Sequence, residues 1–228
     1  IKVSVIGYGN MMFAKDTPEM VDACYKCITK VYEKGVNFFD TAESYGDGGA
    51  ETVLGKCLKK AGWARKDYVL STKVYHSGNK PNDTFLSRKH VIEAVTASLA
   101  RLQVDYADIL FAHRYDIMTP MEEVCRAFNW LIDQGKAFCW GTSEWTAEQI
   151  MEARECCERL GLMCPAADQV EYNLLIRDNL ENNYVPLFEK YGLGTTTWSP
   201  LGGGYLTGKY NDGKAPPKAR YAEGSWDA

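Results

Sequence analysis

Four residues of this sequence carry the functional groups that proton transfer to a carbonyl oxygen requires. Asp40 ends the apolar run "VNFFD", and Tyr45 follows within the glycine-rich stretch "ESYGDGG". Lys73 and His113 stand at the ends of two later β-rich runs. A phenol with a pKa of about 10 donates a proton poorly near neutrality, but a neighbouring ammonium stabilises the phenolate. The four residues therefore predict a general acid, Tyr45, that Lys73 tunes and that is directed at a carbonyl group.

The three residues around Tyr45 have predicted supporting roles. Lys73 is costly to bury without a partner, and Asp40 supplies a carboxylate that pairs with it. His113 can hydrogen-bond the carbonyl oxygen of a substrate and direct it toward Tyr45. Taken singly, each is more often structural: a loop acid, a lysine that reaches solvent, or a histidine in the core. Only their joint placement favours catalysis.

Short β-rich runs alternate with helical patterns along the chain. The helical patterns place apolar residues three or four positions apart, and Thr-Pro pairs or capping boxes, such as Thr119 with Glu122 and Thr146 with Gln149, precede several of them. This alternation predicts an α/β fold with right-handed crossovers and a parallel sheet. The predicted strands are 3–9, 36–42, 68–74, 106–113, 137–143, 166–172 and 193–200.

Residues at or near the carboxyl ends of the strands favour a closed barrel over an open sheet. An open sheet binds its ligand at one switch point, whereas a barrel collects residues from the ends of nearly all its strands. No G-x-G-x-x-G opens the first helix, so a Rossmann domain is not indicated. The sequence therefore predicts one (β/α)8 TIM barrel domain over residues 1–228. Its end residues are Asp40, Lys73, His113, Ser143, Gln169 and Trp198.

Seven predicted strands are one fewer than an eight-stranded barrel needs. After "SPLGGGYLTGKY" the sequence "NDGKAPPKARYAEGSWDA" is typical of a loop. We therefore expect the eighth βα unit to be absent from this chain, which would make it a partial barrel.

Composition favours small-molecule chemistry. The 228 residues carry a formal net charge of −4 and no block of lysine and arginine, which argues against a nucleic-acid partner. No apolar run is long enough for a membrane span and no signal peptide is apparent, so we expect a cytoplasmic protein. Cys24 and Cys27 have zinc-like spacing but lack a second ligand pair, so we expect no metal and free thiols among the eight cysteines.

Several motifs resemble the aldo-keto reductases in family order across nearly the whole chain. They are "FFDTAESYGDGGAE", "STK", "FAHRYD", "GTSEW", "QVEYN" and "WSPLGGGYLTGKY". Through "LSRKHVIEAVTASLARLQVDYADILFA" and "TPMEEV" the resemblance is closest to the voltage-gated potassium channel beta subunits and their enzyme-like relatives. It implies a (β/α)8 barrel that binds NADP(H) and reduces an aldehyde or ketone by hydride transfer.

The resemblance also assigns residues. It identifies Asp40, Tyr45, Lys73 and His113 as the catalytic tetrad. It implies that two residues hold the nicotinamide carboxamide, an indole lies beneath the nicotinamide, and a glycine-rich loop with two cations binds the phosphates. These cofactor-binding residues are, in that order, Ser143 and Gln169, Trp198, then Ser199, Pro200, Leu201, Gly202 and Gly204 with Lys209 and Arg220.

Two positions depart from the channel beta subunits. They have Asn where His113 stands and Arg where Glu144 stands; His113 is the ordinary reductase residue and favours catalysis, whereas Glu144 removes a cation near the cofactor. A regulatory subunit that binds NADP(H), forms a homotetramer and docks on the cytoplasmic domain of a channel therefore stays open as the alternative. Preference for NADPH over NADH rests on the resemblance alone.

Overall fold

The computed structural model describes residues 1–217, 219 and 221, and the chain divides into two compact units, Ile1–Ala166 and Ala167–Ala228. Short 3₁₀ turns lie at Arg65–Asp67 and Gly202–Thr207, and a π turn at Asn179–Asn183. The first unit contains β1 (Tyr8–Gly9), α1 (Pro18–Glu33), β2 (Phe38–Asp40), α2 (Gly49–Ala61), β3 (Val69–Val74), α3 (Arg88–Leu102), β4 (Ile109–Ala112), α4 (Met121–Asp133), β5 (Cys139–Ser143) and α5 (Ala147–Leu160). The second unit contains β6 (Ala167–Glu171), α6 (Val185–Tyr191) and β7 (Gly194–Trp198).

In the first unit, β1 to β5 are parallel and neighbouring in chain order. All six residues of β3 are buried, as expected for a strand of a parallel sheet that helices cover. The α3 stripe of Val91, Val95, Leu99 and Leu102 is buried at the helical spacing that the sequence predicts. Alternating helices and parallel strands confirm the α/β class.

The first strand is shorter than predicted. Of the range 3–9, only Tyr8–Gly9 pairs with a neighbour. Ser4 instead exchanges hydrogen bonds with Asn37: the Ser4 amide donates to Oδ1 of Asn37 at 2.7 Å, and the Asn37 amide donates to the Ser4 hydroxyl oxygen at 3.1 Å. These side-chain bonds replace the ladder that a longer strand would form.

Two predicted capping boxes have different outcomes. Thr146 and Gln149 form the box at the start of α5, each side chain bonding the backbone amide of the other. The predicted box of Thr119 with Glu122 is wrong, because α4 begins after Pro120 and has no side-chain cap. Glu122 bonds Arg126 one turn later at 2.9 Å instead.

In the second unit, β6 and β7 are parallel, with Gln169 opposite Thr196 and Glu171 opposite Trp198. Tyr184 and Leu187 are buried within this unit. In the part of the chain that the structure describes, no strand follows Trp198 and no helix is long and apolar enough to cross a bilayer. The single-domain assignment stays a prediction.

Candidate active site

Strand register brings the predicted catalytic side chains of the first unit to one face of the sheet. Asp40 stands opposite Ser71, and Lys73 stands opposite Phe111. Residues in register share a face, and side chains along one strand return to it every second position. Asp40, Lys73 and His113, which is two residues beyond Phe111, therefore lie on the same side.

The Lys73 ammonium is the centre of this cluster. It is fully buried and donates to Asp40 Oδ2 at 2.5 Å, to the Thr41 carbonyl at 2.7 Å and to the Tyr45 hydroxyl oxygen at 3.3 Å. The Ser71 hydroxyl donates to the other Asp40 oxygen at 2.6 Å. All three donor positions of the ammonium are thus used, and one of them is directed at the phenol.

The charge of Lys73 is retained despite its burial. Burial alone lowers the pKa of a lysine, but the Asp40 carboxylate and Tyr45 outweigh it, so the pKa of Lys73 is raised above its ordinary value. The predicted pairing of Lys73 with Asp40 is present in the structure, and it places a fixed positive charge beside the Tyr45 hydroxyl.

A turn rich in glycine holds Tyr45 in place. Gly46 has a φ of +60°, and a Cβ at this position would lie 2.5 Å from the carbonyl oxygen of Ala14. At Gly49 a Cβ would lie 2.0 Å from the same oxygen. Only glycine permits both the left-handed backbone at position 46 and the close approach of the Ala14 backbone. The stretch "YGDGG" therefore sets where the phenol stands.

His113 completes the cluster as a neutral imidazole. Its ring meets that of Tyr45 edge-on, with 5.8 Å between the centroids. Burial, together with the charges of Lys73 and Arg114, lowers the pKa of His113 to about 2. An imidazole at this position therefore stays neutral near pH 7 and offers a hydrogen bond, whereas a free histidine would change charge there.

Glu43 is a buried group that the sequence reasoning missed. Its Oε1 accepts from the Tyr75 amide at 2.6 Å and lies 3.3 Å from Nε2 of His90, while its buried Oε2 has no hydrogen-bond partner among the residues that the structure describes. The Glu43 amide donates to the Lys73 carbonyl at 3.2 Å. Glu43 thus joins the Tyr45 turn to the end of β3 and to α3. In the sequence, the position of Glu43 two residues before Tyr45 was the signal that could have identified it.

Ser143 is the predicted cofactor contact that lies in the first unit. It is buried at the end of β5, and its hydroxyl accepts a hydrogen bond from Nη1 of Arg114 at 3.4 Å. Glu144, which follows it, has a left-handed φ of +57°. Ser143 and His113 thus stand at the same ends of adjacent strands, with Arg114 between them.

The other predicted cofactor residues lie in the second unit. Gln169 is buried on β6, and Trp198 ends β7 with 37% of its surface exposed. Ser199 opens the following turn at a φ of +56°, and its carbonyl accepts from the Gly202 amide at 2.9 Å. Pro200 and Leu201 form the turn between them, and Leu201 is exposed.

Lys209 gives the glycine-rich turn a positive charge that suits an anionic group. Gly204 has a φ of +102°, and a Cβ there would lie 2.5 Å from Cε and 2.6 Å from Nζ of Lys209. Glycine therefore lets the Lys209 ammonium lie on the turn, where it could meet a phosphate. The amides of Gly202 and Gly204 donate within the turn, to Ser199 and Leu201, so these glycines serve its shape. Arg220, the second predicted cation, lies outside the described residues.

The cysteines offer a poor metal site. Five of the eight are buried, Cys27 is exposed and the other two are intermediate. Within the described residues, no three histidine, cysteine or acidic side chains are grouped as metal ligands would be.

Comparison with known proteins gives a consistent result. A model described as the aldo/keto reductase family matches residues 5–225. The chain is 48% identical over 217 residues to a probable voltage-gated potassium channel subunit beta of Oryza sativa subsp. japonica, a match that covers 95% of this chain and 64% of that protein. Proteins with similar names from Arabidopsis thaliana (46% identity; 95% and 64% covered) and Schizosaccharomyces pombe (49% identity; 93% and 62% covered) also match.

These matches confirm the resemblance predicted from the motifs, and with it a fold of the TIM barrel class. The chain spans less than two thirds of the length of each of these relatives.

Proposed function

The chain belongs to the aldo/keto reductase family, and we propose that it is an NADPH-dependent carbonyl reductase that reduces aldehydes or ketones. Family membership supports oxidoreductase chemistry in general. The finer assignment rests on the tetrad of Asp40, Tyr45, Lys73 and His113, and above all on one observation. A fully buried ammonium, that of Lys73, is held between the Asp40 carboxylate and the Tyr45 hydroxyl oxygen.

This contact supports the proposed role of Tyr45 as general acid. As the phenol gives its proton to the carbonyl oxygen, negative charge develops on an atom that the Lys73 ammonium already approaches to 3.3 Å. A pre-oriented charge stabilises that state without reorganising at the moment of reaction. Asp40 keeps the ammonium charged and in place, and neutral His113 orients the carbonyl oxygen. Solvent afterwards returns the proton to Tyr45.

NADPH, when bound, supplies the hydride that reduces the carbonyl carbon. The resemblance assigns Ser143 of the first unit to cofactor binding and, within the second unit, Gln169, Trp198 and Lys209. Proton and hydride together convert the carbonyl compound into an alcohol, so the step is balanced.

Repeated turnover tests the proposal. The purified full-length protein should reduce simple aldehydes with NADPH over many cycles. His113→Asn should slow hydride transfer in single-turnover experiments more than it weakens NADPH binding. No turnover of any aldehyde or ketone by a protein that binds NADPH would contradict the proposal.

A second candidate function is supported by the names of the relatives, which are those of potassium channel beta subunits. In that case the protein would be a cytoplasmic tetramer that holds NADP(H) and docks on a channel. Co-purification with a channel's cytoplasmic domain, a tetrameric mass, and a single slow oxidation of bound NADPH that His113→Asn leaves unchanged would favour this function over the first.

A further inference from the structure

Arg114 occupies a position beside the tetrad that the proposed mechanism does not use. It follows His113 directly, and its Nη1 donates to the His113 carbonyl at 2.5 Å and to the Ser143 hydroxyl at 3.4 Å. The arginine side chain therefore reaches from the end of β4 to the end of β5. The Tyr45 ring also contacts this imidazole, edge-on.

Lys73 and Arg114, the two cations near His113, differ in whether a carboxylate pairs with them. Lys73 is buried and paired with Asp40 at 2.5 Å. Arg114 is exposed and forms no ion pair with a carboxylate of the described residues. Asp116, two positions on, is buried and accepts from the backbone amides of Leu86 and Met118.

The Arg114 guanidinium also has N–H donors that these two hydrogen bonds do not use. Only Nη1 is used in the two hydrogen bonds, and Nε and Nη2 make none with the residues that the structure describes. These two nitrogens form one edge of the guanidinium, with two parallel N–H groups. That edge matches the two oxygens of a carboxylate, which arginine binds in a bidentate way.

We propose that Arg114 is a specificity-determining residue that binds a carboxylate carried by the carbonyl substrate. The substrate class would be short aldehyde acids and oxo acids, with the carbonyl at Tyr45 and His113 and the carboxylate at Arg114. This inference rests on the proposed reductase function. The Lys73 ammonium already has the Asp40 carboxylate as its partner, whereas the second edge of the Arg114 guanidinium bonds no described residue and can receive a substrate carboxylate.

A pair of probes that differ in one charge tests the inference. With NADPH-loaded full-length protein, kcat/KM is measured for 4-oxobutanoate and for its methyl ester, in the wild type, Arg114→Met and Arg114→Lys. Arg114→Met should lower kcat/KM for the acid by about 10- to 100-fold, the range of a charge-assisted hydrogen bond, and change that for the ester less than about threefold. The kcat/KM of Arg114→Lys for the acid should lie between those of the wild type and Arg114→Met, because lysine keeps the charge but not the bidentate edge.

Arg126→Met serves as the matched control. Arg126 is an exposed arginine on α4 that pairs with Glu122, and removing it should affect neither probe. An equal loss for acid and ester in Arg114→Met would show that Arg114 only holds His113 or Ser143, and would overturn the inference. A wild type that does not prefer the acid to its ester would overturn it too.

A binding measurement separates this inference from the proposed function. Calorimetric titration of the NADP-loaded protein with 4-hydroxybutanoate, the product of the acid probe, needs no turnover. Binding that weakens at least tenfold in Arg114→Met but not in Arg126→Met would support the carboxylate site even if neither probe is reduced. Equal binding to the wild type and Arg114→Met would remove the site even in an active reductase.

Discussion

Around Lys73, polar side chains at the ends of neighbouring strands form hydrogen bonds with one another. The segment from Trp198 to Lys209 instead presents exposed side chains, and its glycines set the course of its backbone. The Lys73 ammonium is fully buried and bonds three oxygens. In the second region Trp198 is 37% and Leu201 52% exposed, and successive glycines have positive φ. The residues proposed for proton transfer are therefore held by one another, whereas the second region contributes shape and charge. Changes in the first should affect the rate, and changes in the second should affect cofactor affinity.

The largest effect is expected from Lys73→Met. It removes the charge beside Tyr45 and leaves the Asp40 carboxylate without its ammonium. We expect kcat to fall by about 10²- to 10⁴-fold. The free energy of unfolding should fall by about 3–5 kcal/mol, because one partner of a buried pair is removed. Asp40→Asn should also lower kcat, and the double variant should lose less than the sum of the two, since the residues act together.

The control is Lys56→Met, which removes a surface pair. Lys56 bonds Asp16 at 2.6 Å, but the two side chains are 44% and 40% exposed. Its loss should change the free energy of unfolding by less than about 1 kcal/mol and leave kcat unchanged. Additive losses for Lys73→Met and Asp40→Asn would show that the first region is not a coupled unit.

A smaller effect, and on affinity instead of rate, is expected from Gly204→Ala. The new Cβ would lie 2.5 Å from Lys209 Cε at a φ of +102°, so the lysine must leave the turn. NADPH affinity should fall by about tenfold, or about 1.4 kcal/mol, with the rate of hydride transfer at saturating cofactor preserved. Fluorescence titration and stopped-flow kinetics measure the two quantities. Gly213→Ala, at a φ of +72° with nothing within 4 Å, separates backbone strain from displacement of Lys209.

Glu43→Gln should have a moderate effect on stability. The amide can still accept from the Tyr75 backbone, but it replaces a charged acceptor by a neutral one and changes the contact with His90. We expect the free energy of unfolding to fall by about 1–2 kcal/mol, measured by urea denaturation. Glu93→Gln, on the exposed face of α3, should change it by less than about 0.5 kcal/mol. Equal values for the two variants would mean that Glu43 does not brace the Tyr45 turn.

The next prediction concerns the protonation of His113 and its dependence on pH. The folded-state pKa of His113, about 2, lies below the ordinary value of 6.5, so the unfolded chain binds a proton that the folded chain does not. This histidine therefore makes folding less favourable as the pH falls from about 6.5 toward 2. Its ring resonances in NMR spectra should not titrate between pH 8 and 5. A midpoint near 6.5 would show that His113 is solvated and able to change charge during the reaction.

Much of the fold follows from local sequence. The alternation of short β-rich runs with helical patterns predicts all seven strands, and β3 is the clearest case because all its residues are buried, as in a covered parallel sheet. The ends are less predictable: β1 has only two residues because the side chains of Ser4 and Asn37 each bond the backbone amide of the other residue, and Glu122 bonds Arg126 instead of capping α4. Such competition between partners is invisible until the elements are packed.

The candidate site shows a similar limit. The cluster is predictable because Asp40, Lys73 and His113 each interrupt an apolar run at or near the end of a strand, and Tyr45 follows Asp40 in a glycine-rich stretch. The depressed pKa of His113 is not, since burial sets it. Glu43 and Arg114 were not predicted from the sequence, because acids and arginines are common in loops. Only the folded chain shows that Glu43 is buried against His90 and that Arg114 bonds Ser143.

Tyr45→Phe tests whether the phenol of Tyr45 is the proton donor. The change removes the phenolic hydroxyl and leaves Lys73, Asp40 and the segment from Trp198 to Lys209 in place. Single-turnover oxidation of bound NADPH by an aldehyde should slow by about 10²- to 10⁴-fold, while the Kd for NADPH, from fluorescence titration, stays within about twofold of the wild type. A variant that binds NADPH and reduces the aldehyde at the wild-type rate would contradict the account, because the phenol beside the buried ammonium would then not be the proton donor.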